Sequence, residues 1–373
     1  MFLYLKTGNG HLAPARALSE SMKASCNNNI EIQLIDGLSD SPPLVRKIIE
    51  DGYSYSVNKA LWIFESLYAL NKILIISVLT SRLVSLFIIK GIERTIVSQK
   101  PEKIVVFHFF LIEPVRMILQ KHRLNIPVLT VVTDPYSAHP IWFLRKDQDF
   151  IVFSNELKEN CIKKGIQPEK IRDFPFILNR KFDKANENDL KQVIRSKYGF
   201  RTDSRVVLLM GGGDGIPKGK KILKNIIKSD PDYELAMVCG KNSKLEEKAK
   251  RLVVKHGKGG IKIYGYIDFV NELITISDAV ITKCGASSCM EILYLGKIPI
   301  INNYIWEQEK GNMEFIANGN MGIVERRVFF LPRVIKKLFS DTGYYNYLSE
   351  NIRKAAISNG TSMVSDFIFN FKT

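Results

Sequence analysis

The chain has 373 residues, 46% of them hydrophobic and 25% charged, a composition that excludes a disordered or fibrous protein and suggests two domains. Lysine and arginine outnumber aspartate and glutamate by 54 to 38, so the net charge is +16. This excess favours anionic partners such as nucleotides, nucleic acid or an acidic lipid surface, but a solvated basic surface explains it equally well. Five cysteines without a C-x-x-C pair argue against a disulfide framework or a zinc site.

Short β-branched segments alternate with longer amphipathic segments along the first half of the chain. The N-terminal residues lack the basic-then-apolar pattern of a signal peptide, so none is expected. A helix is predicted over residues 12–25. The predicted strands are Phe2–Leu5, Glu31–Ile35, Ile104–Phe107, Val128–Val132 and Phe150–Phe153. Strand–helix alternation at this spacing implies a parallel sheet with right-handed crossovers.

The region Tyr53–Ile92 is rich in aromatic and aliphatic residues, with scattered lysine and arginine. We expect Ser81-Arg82 to interrupt its longest apolar stretch, Ile73–Ile89, and to leave two runs shorter than the roughly 20 residues of a spanning helix. Apolar side chains beside scattered cations suit a segment that lies on an anionic membrane surface without crossing it. Core helices of the first domain are the alternative.

The second half repeats the strand–helix pattern. Its predicted strands are Val206–Met210, Tyr233–Val238, Ile261–Tyr264, Ala279–Ile281 and Ile298–Ile301. A boundary near Phe174–Asp183 predicts domains over 1–178 and 179–345, and residues 346–373 are expected to pack back on the first domain. The predicted fold class is α/β, with two doubly wound domains facing each other across a cleft. Ligands in such sheets bind beyond the carboxyl ends of the strands.

The turn after the first strand, Gly8–Ala13, fits the dinucleotide pattern G-x-G-x-x-A, and Asp36 ends the next strand. His11 argues against that interpretation, because it occupies the helix N-terminus where a pyrophosphate needs open backbone N–H groups. The helix dipole there also disfavours imidazolium. A neutral histidine at that place can act as a general base, although one that only caps or packs is equally consistent with the spacing.

The segment Ile281–Glu291 runs from a strand through small residues into a helix. The N–H groups at residues 286–288, with the hydroxyls of Ser287 and Ser288, suit an anion. Glu291 could accept two adjacent hydroxyls of a ribose, or it could complete a capping box with Ser288. The turn Gly211–Gly215 does not match the P-loop pattern. It could let the backbone approach a phosphate, or it could be a tight turn with no ligand.

Polar residues also follow two other strands. Gln308 and Glu309 suit sugar hydroxyls, and a solvated polar helix end is the alternative. Asp134 and His139 could form an acid–base pair, although Asp134 could equally be a turn residue. His108 is a weaker candidate. No set of His, Asp and Glu has metal-ligand spacing, so no metal is expected.

Taken in order, these stretches resemble the family 28 glycosyltransferases, in particular the monogalactosyldiacylglycerol synthases and the processive diacylglycerol glucosyltransferases of bacteria. The matching segments are Gly8–His11, Thr133-Asp134 with His139-Pro140 and Trp142, Met210–Gly213, Val238–Asn242, Gly265-Tyr266, Ile281–Lys283 with Gly285 and Glu291, and Gln308–Asn312. The resemblance implies a GT-B fold of two Rossmann-like domains. It also implies a glycosyltransferase that moves a hexose, with inversion, from a UDP-sugar to a membrane lipid, diacylglycerol or a glycolipid, without a bound cofactor or catalytic metal.

The resemblance also assigns roles to residues. By resemblance, His11 is the candidate catalytic base. From its own position after a strand, Asp134 is a second catalytic candidate, and the acceptor is expected at His108, His139 and Trp142. The donor-binding candidates are Gly10, Gly213, Tyr266, Ile267, Gly285, Ser287, Ser288, Glu291, Gln308 and Glu309. Among these, backbone near Tyr266 and Ile267 should contact uracil, Glu291 the ribose, and Gln308 with Glu309 the sugar. The donor would be UDP-galactose, UDP-glucose or UDP-N-acetylglucosamine.

Several alternatives stay open. The turn Gly285–Ser288 is closer to the lipid II-forming N-acetylglucosaminyltransferase, which allows a polyprenyl-linked acceptor. A UDP-sugar 2-epimerase would share the architecture. An NAD-dependent oxidoreductase would leave residues 281–312 unexplained, and a non-catalytic nucleotide- or nucleic-acid-binding protein is supported only by charge. The expected location is peripheral, on the cytoplasmic face of a membrane, with no nucleic-acid partner.

Overall fold

The computed structural model describes residues 1–6, 10–49, 52, 61–183, 187–257 and 259–372. Gly8 and Asn9 of the first turn, and residues 53–60 of the apolar region, lie outside the described residues. The chain forms two compact units. Unit 1 comprises Met1–Arg180, Ile305–Gly311 and Asn359–Thr373, and unit 2 comprises Lys181–Tyr304 and Asn312–Ser358.

Each unit is built on a six-stranded sheet in which every pair of neighbouring strands is parallel. The strands of unit 1 are β1 (Phe2–Tyr4), β2 (Leu34–Asp36), β3 (Ile104–Val106), β4 (Val128–Val131), β5 (Asp149–Val152) and β6 (Ile171–Asp173), in the order β2-β1-β3-β4-β5-β6. The strands of unit 2 are β7 (Val206–Leu209), β8 (Glu234–Val238), β9 (Ile261–Tyr264), β10 (Ala279–Lys283), β11 (Ile298–Asn303) and β12 (Ile323–Val324), in the order β12-β11-β10-β7-β8-β9.

Helices connect the strands. In chain order they are α1 (Leu12–Ser25), α2 (Leu61–Leu70), α3 (Leu74–Gln99), α4 (Ile112–Lys121), α5 (Asn155–Lys163), α6 (Glu187–Lys197), α7 (Gly219–Lys228), α8 (Ser243–His256), α9 (Val270–Ile276), α10 (Ala286–Tyr294), α11 (Lys310–Asn318), α12 (Leu331–Ser340), α13 (Thr342–Lys354) and α14 (Thr361–Asn370). Short 3-10 helices cover Phe109–Leu111, Pro140–Phe143, Pro168–Lys170, Arg180–Phe182 and Val328–Phe330. Residues 43–49 are also helical.

The central strands carry the cores of the two units. Residues of β3 and β7 are buried on both faces, and this is why those strands read as continuous apolar runs in the sequence. Edge strands carry a weaker signal. The predicted strand Glu31–Ile35 is observed as Leu34–Asp36, because only these residues pair with Phe2–Tyr4. The edge strands β6 and β12 were not predicted. In β6 two of the three residues, Arg172 and Asp173, are polar and exposed, and β12 has only two residues.

The C-terminal segment divides between the units. Residues 346–358 lie in unit 2, whereas the residues from Asn359 onwards lie in unit 1, where α14 packs against α1. The Thr361 hydroxyl donates a hydrogen bond to the Leu178 carbonyl oxygen, 2.7 Å away, and so fixes the start of α14.

Helix α3 corrects one expectation. It is continuous across Ser81-Arg82, which was expected to interrupt it. Arginine is a good helix former and is exposed here, and the hydroxyl of Ser85 donates to the Ser81 carbonyl oxygen within the helix at 2.7 Å. In the described part of the chain, α3 alone meets the criteria of length and apolar composition for a helix that could cross a membrane.

Candidate active site

In unit 1, three neighbouring strands end beside one another. Strands β1, β3 and β4 are consecutive in the sheet, so the residues that follow their carboxyl ends meet at one edge. His11, His108 and Thr133 gather there. Nδ1 of His11 lies 2.9 Å from Oγ1 of Thr133, and the His108 ring meets the His11 ring edge-on at a centroid distance of 4.5 Å. His11 is only 8% exposed.

Burial determines the protonation of both histidines. Desolvation lowers the pKa of His11 to about 4, and a hydrogen bond with the backbone of Phe107 opposes that shift only in part. Burial, with a smaller contribution from His11, holds the pKa of His108 well below its usual value. Nδ1 of His108 accepts a hydrogen bond from the Phe110 N–H group. Both rings are therefore neutral at physiological pH, as a general base in its resting state must be.

Asp134 follows Thr133 and is held by Trp142. Its Oδ2 accepts a hydrogen bond from Nε1 of Trp142 at 2.9 Å, and the indole is fully buried. Burial raises the pKa of Asp134 to about 6, with the Trp142 hydrogen bond opposing the shift and the charge of Glu309 adding to it.

His139 has partners other than Asp134. Its Nδ1 accepts from the Ile141 N–H group at 3.1 Å, and its Nε2 donates to the Tyr68 carbonyl oxygen at 3.1 Å. Both ring nitrogens are therefore engaged, and an acid–base pair with Asp134 is not formed.

The loop Ile305–Gly311 belongs to unit 1 and packs on Ser137. The Ser137 hydroxyl donates to the Gln308 carbonyl oxygen and accepts from the Gly311 N–H group. Glu309 is buried, and its Oε2 accepts from the Ile305 N–H group at 2.8 Å. Oε1 of Gln308 is buried and has no hydrogen-bond partner within the described ranges. These side chains do not form a solvated helix end, and Gln308 retains an acceptor that a ligand hydroxyl can satisfy.

In unit 2, helix α10 begins directly after the central strand β10. Gly285 is its N-cap residue, and no side chain caps its first turn. The capping box with Ser288, which was the alternative role of Glu291, is therefore not observed, since Ser288 is already the third residue of the helix. The N–H groups of the first turn, with the Ser287 and Ser288 hydroxyls beside them, suit an anion.

Glu291 lies one turn further along α10 and is partly buried. Burial raises the pKa of its carboxyl to about 7, and the positive charge of Lys181 opposes that shift. Among the described residues the carboxylate has no hydrogen-bond partner, so its oxygens are available to ligand hydroxyls.

The glycine-rich turn after β7 packs tightly on the turn after β8. The Lys241 N–H group donates to the Gly213 carbonyl oxygen at 2.7 Å. Gly240 has a φ of +59°, and a Cβ there would collide with that same oxygen. Position 240 therefore requires glycine on two grounds, and the contact fixes Gly213.

The remaining candidates are placed as follows. Tyr266 is exposed after β9, with Nζ of Lys241 5.5 Å from its ring centroid, while Ile267 is partly buried against the core of unit 2. A Cβ at Gly10 would meet no atom within 4 Å, so the space beside it is open. No group of three His, Cys, Asp or Glu side chains in the described part of the chain could hold a metal ion.

Sequence reasoning missed two contributors. Thr133 has no predicted role of its own, because its contact with His11 requires the strand order β1-β3-β4. Lys181 lies in the predicted interdomain boundary, yet it is the cation that acts on Glu291. Neither pairing has a local signal, because each joins residues more than 100 positions apart.

Comparison with known proteins identifies the class. The family described as monogalactosyldiacylglycerol (MGDG) synthase matches residues 11–175, and the glycosyltransferase family 28 C-terminal domain matches residues 206–354. Among solved structures, a glycosyltransferase from Rickettsia africae has a TM-score of 0.60 at 18% identity, covering 100% of this chain and 98% of its own. Anabaena HepE in complex with UDP and glucose has a TM-score of 0.59 at 12% identity, covering 99% of each chain.

Two relatives are similar in sequence. The chain is 26% identical to the chloroplastic monogalactosyldiacylglycerol synthase of Spinacia oleracea. The match covers 86% of this chain but only 62% of that protein. It is 24% identical to the processive diacylglycerol beta-glucosyltransferase of Bacillus licheniformis, covering 98% of this chain and 92% of the relative.

Two parallel-sheet units with these likenesses define a glycosyltransferase of the GT-B fold, built from two Rossmann-like domains. The chain belongs to the family 28 glycosyltransferases, with an N-terminal region of the monogalactosyldiacylglycerol synthase type. The predictions of fold, enzyme class and family are confirmed.

Replacing Glu291 with Gln should stabilise the protein at pH 8 and have little effect near pH 4.5. The carboxyl pKa rises from 4.5 to about 7 on folding, so between these values the folded state binds a proton that the unfolded state lacks. Stability contributed by the wild-type residue therefore falls as pH rises through this window, and Gln removes that loss. Thermal unfolding of both proteins from pH 4.5 to 8.5 measures the effect. Glu247→Gln, on the surface of α8, is the matched control, and a Glu291→Gln effect independent of pH would contradict the account.

Proposed function

We propose that this protein transfers a hexose, with inversion, from a UDP-sugar to a membrane lipid acceptor, diacylglycerol or a glycolipid made from it. The relatives named above act on diacylglycerol according to their names, and one structural neighbour binds UDP. One observation on this chain supports a lipid acceptor. The N-terminal half of α3 presents its apolar side chains to solvent.

Helix α3 has an inverted distribution of polar and apolar residues. Its buried stripe in this half consists of Ser77, Ser81 and Ser85, at a spacing of four residues. The apolar side chains of this half that are more than half accessible are Leu74, Ile75, Leu79, Leu83 and Leu86. Leaving an aliphatic side chain in water rather than burying it costs about 1.5–3 kcal/mol. A contiguous face of this kind marks a surface that is covered in use.

The surroundings of this face favour a membrane as the cover. Trp62 on α2 is 70% exposed, and an exposed tryptophan suits the interfacial region of a bilayer. Arg82 and Lys90 are exposed on α3 itself, where they can meet anionic headgroups. Lys72 is paired with Glu307, and Lys59 lies outside the described residues. We infer peripheral attachment through α2 and α3 on the cytoplasmic face. The alternative interpretation was that this region forms core helices. It holds for the C-terminal half of α3, where Ile88, Ile92 and Ile96 are buried.

Unit 2 supplies the features that we assign to UDP. The uncapped first turn of α10 and the Ser287 and Ser288 hydroxyls would bind the diphosphate, near Gly213. Glu291 would accept the ribose hydroxyls, and backbone near Tyr266 and Ile267 would contact uracil. In unit 1, Gln308 and Glu309 would orient the sugar. Oε1 of Gln308, which has no partner within the described ranges, would accept a hydrogen bond from one of the sugar hydroxyls.

The reaction balances with His11 as the base. The acceptor hydroxyl oxygen attacks C1 of the sugar, the bond from C1 to the diphosphate oxygen breaks, and UDP leaves with the electron pair. The hydroxyl proton passes to His11, which is neutral because it is buried. Donors at a helix N-terminus stabilise the charge that develops on the leaving diphosphate. Asp134, fixed by Trp142, is the second candidate for proton transfer.

A panel experiment tests the proposal. The purified protein is incubated with labelled UDP-glucose, UDP-galactose or UDP-N-acetylglucosamine, with diacylglycerol, a monoglycosyl lipid or a polyprenyl-linked acceptor, and the organic phase is chromatographed. Label on diacylglycerol or its glycoside is expected. Label only on the polyprenyl-linked acceptor would select N-acetylglucosaminyl transfer instead, and conversion of the UDP-sugar without acceptor would select an epimerase.

Glu291→Ala should weaken UDP binding by about 30-fold or more, because it removes charge-assisted hydrogen bonds worth roughly 2–4 kcal/mol at a partly buried site. Calorimetry at pH 8, where the wild-type carboxyl is ionised, measures the difference. Glu247→Ala on α8 is the control. An unchanged UDP affinity in a folded Glu291→Ala protein would remove this residue from the site.

His11→Ala should lower kcat by roughly 10²–10⁴-fold while nearly preserving UDP affinity, since the groups assigned to UDP lie in unit 2. Steady-state kinetics and calorimetry measure the two quantities. His11→Gln serves as a second variant that keeps a polar partner for Thr133, and His122→Ala is the control. Loss of UDP binding with unchanged turnover would instead support the dinucleotide interpretation of the first turn.

Replacing Leu86 and Phe87 together with Ser should reduce binding to vesicles by about 100-fold, since each side chain loses about 1.5–3 kcal/mol of burial. Sedimentation with vesicles containing anionic lipid measures this, and high salt should release the wild-type protein only in part. The control is Val193→Ser with Val254→Ser, two exposed apolar residues of unit 2. Wild-type protein that stays in the supernatant at low salt would exclude this attachment.

A further inference from the structure

Unit 2 has a strongly basic surface that the proposed function does not use. Helix α7 packs its apolar face into the unit, with Ile222, Leu223, Ile226 and Ile227 buried. Its outer face carries Lys220, Lys221, Lys224 and Lys228, all exposed. Residues 216–228 contain five lysines and no aspartate or glutamate.

A second helix extends this surface. Helix α12 packs beside α7 and adds Arg333 and Lys336, both exposed. We call the six side chains Lys220, Lys221, Lys224, Lys228, Arg333 and Lys336 the α7–α12 surface. Within the described residues none of the six makes a salt bridge. The neighbouring helix α8 differs because it carries carboxylates among its cations, and two of those cations, Lys250 and Arg251, are paired with Glu246 and Glu247.

The arrangement is costly for the helix itself. Lys220 and Lys224, like Lys224 and Lys228, are four residues apart, a spacing at which like charges repel by roughly 0.2–0.5 kcal/mol per pair. Lys220 and Lys221 also lie in the first turn of α7, where the helix dipole disfavours cations. The chain keeps this concentration of one charge on α7 despite that cost, which favours an anionic partner for the surface.

An exposed phenylalanine lies beside these cations. The 3-10 turn Val328–Phe330 packs on α7, and Nδ2 of Asn225 donates to the Val328 carbonyl oxygen at 3.2 Å. Val328 is buried, whereas Phe329 is 78% exposed. An anchored turn that presents an aromatic ring next to unpaired lysines combines the two elements of interfacial membrane binding, a short apolar insertion and headgroup attraction.

We propose that the α7–α12 surface, with Phe329, binds anionic phospholipid headgroups and gives unit 2 a membrane contact of its own. The inference rests on the proposed function in one respect, that the acceptor is a membrane lipid. It is independent of α3, which belongs to unit 1.

The test uses the full chain in which Leu86→Ser and Phe87→Ser have weakened attachment through α3. On that background, Lys224→Gln, Lys228→Gln and Lys336→Gln are combined. The control combines Lys244→Gln, Lys248→Gln and Lys255→Gln, three exposed lysines of α8 that change the net charge equally. Partitioning is measured on phosphatidylcholine vesicles with and without phosphatidylglycerol, at low and high salt.

The α7–α12 variant should lose about tenfold or more of its partitioning onto anionic vesicles at low salt, and the α8 control much less, since each cation at an anionic surface contributes several-fold. Phe329→Ser should remove the part of the binding that resists salt. Equal losses in the two triple variants would overturn the proposal, because only net charge would then matter. Loss of binding to an oligonucleotide with unchanged vesicle binding would overturn it in favour of a nucleic-acid surface.

Transfer to a short-chain diacylglycerol dispersed without vesicles separates this inference from the proposed function. The α7–α12 variant should keep that activity, because none of its three lysines is assigned to the donor or to catalysis. If the variant loses vesicle binding while even the wild type transfers no sugar, the proposed function is wrong. The inference that the α7–α12 surface binds anionic lipid is then still supported. If the variant loses transfer to the dispersed acceptor, the surface acts in catalysis and the inference fails.

Discussion

Desolvation at the carboxyl ends of two parallel sheets controls the chemistry available to this protein. In unit 1 it lowers the pKa of His11 to about 4 and raises that of Asp134 to about 6, and in unit 2 it raises that of Glu291 to about 7. The folds themselves produce this effect, because parallel strands buried on both faces bring the following loops to one protected edge. This burial keeps the base His11 neutral. It also shields the acceptor oxygens of Glu291 from water, so that they can bind ligand hydroxyls.

Local sequence predicted the fold well where burial leaves a continuous signal. The central strands β3, β4, β7 and β8 are found close to their predicted bounds, because both faces of each are covered and their residues are almost all apolar. The exceptions, Thr130 in β4 and Glu234 in β8, are themselves buried. The signal is weaker at three of the four edge strands, and β9 is the exception, because it is found at its predicted bounds. Strand β12 has two residues, and β2 is placed by its pairing with β1, which no local pattern encodes.

The candidate residues were also visible in the sequence, but their partners were not. His11 and Glu291 follow predicted strands, yet the contact of His11 with Thr133 depends on strand order. Three-dimensional context decides two possibilities that the local sequence left open. His139 bonds to Tyr68 and Ile141 instead of Asp134, and the N-cap of α10 is Gly285, which leaves Glu291 uncommitted. For α3, the apolar composition was evident, but composition does not reveal which face is buried. Only the structure shows that serines are inside and leucines outside.

The central claim is that burial keeps His11 neutral so that it can receive the acceptor proton, and the titration of its ring tests this most directly. Nuclear magnetic resonance of ring-labelled histidine, with the His11 signal assigned by its loss in His11→Gln, follows the protonation state from pH 8 downwards. The account predicts that His11 remains neutral until the pH approaches about 4. Titration of His11 near its ordinary value of 6.5 would show that the site is solvated and would contradict the account.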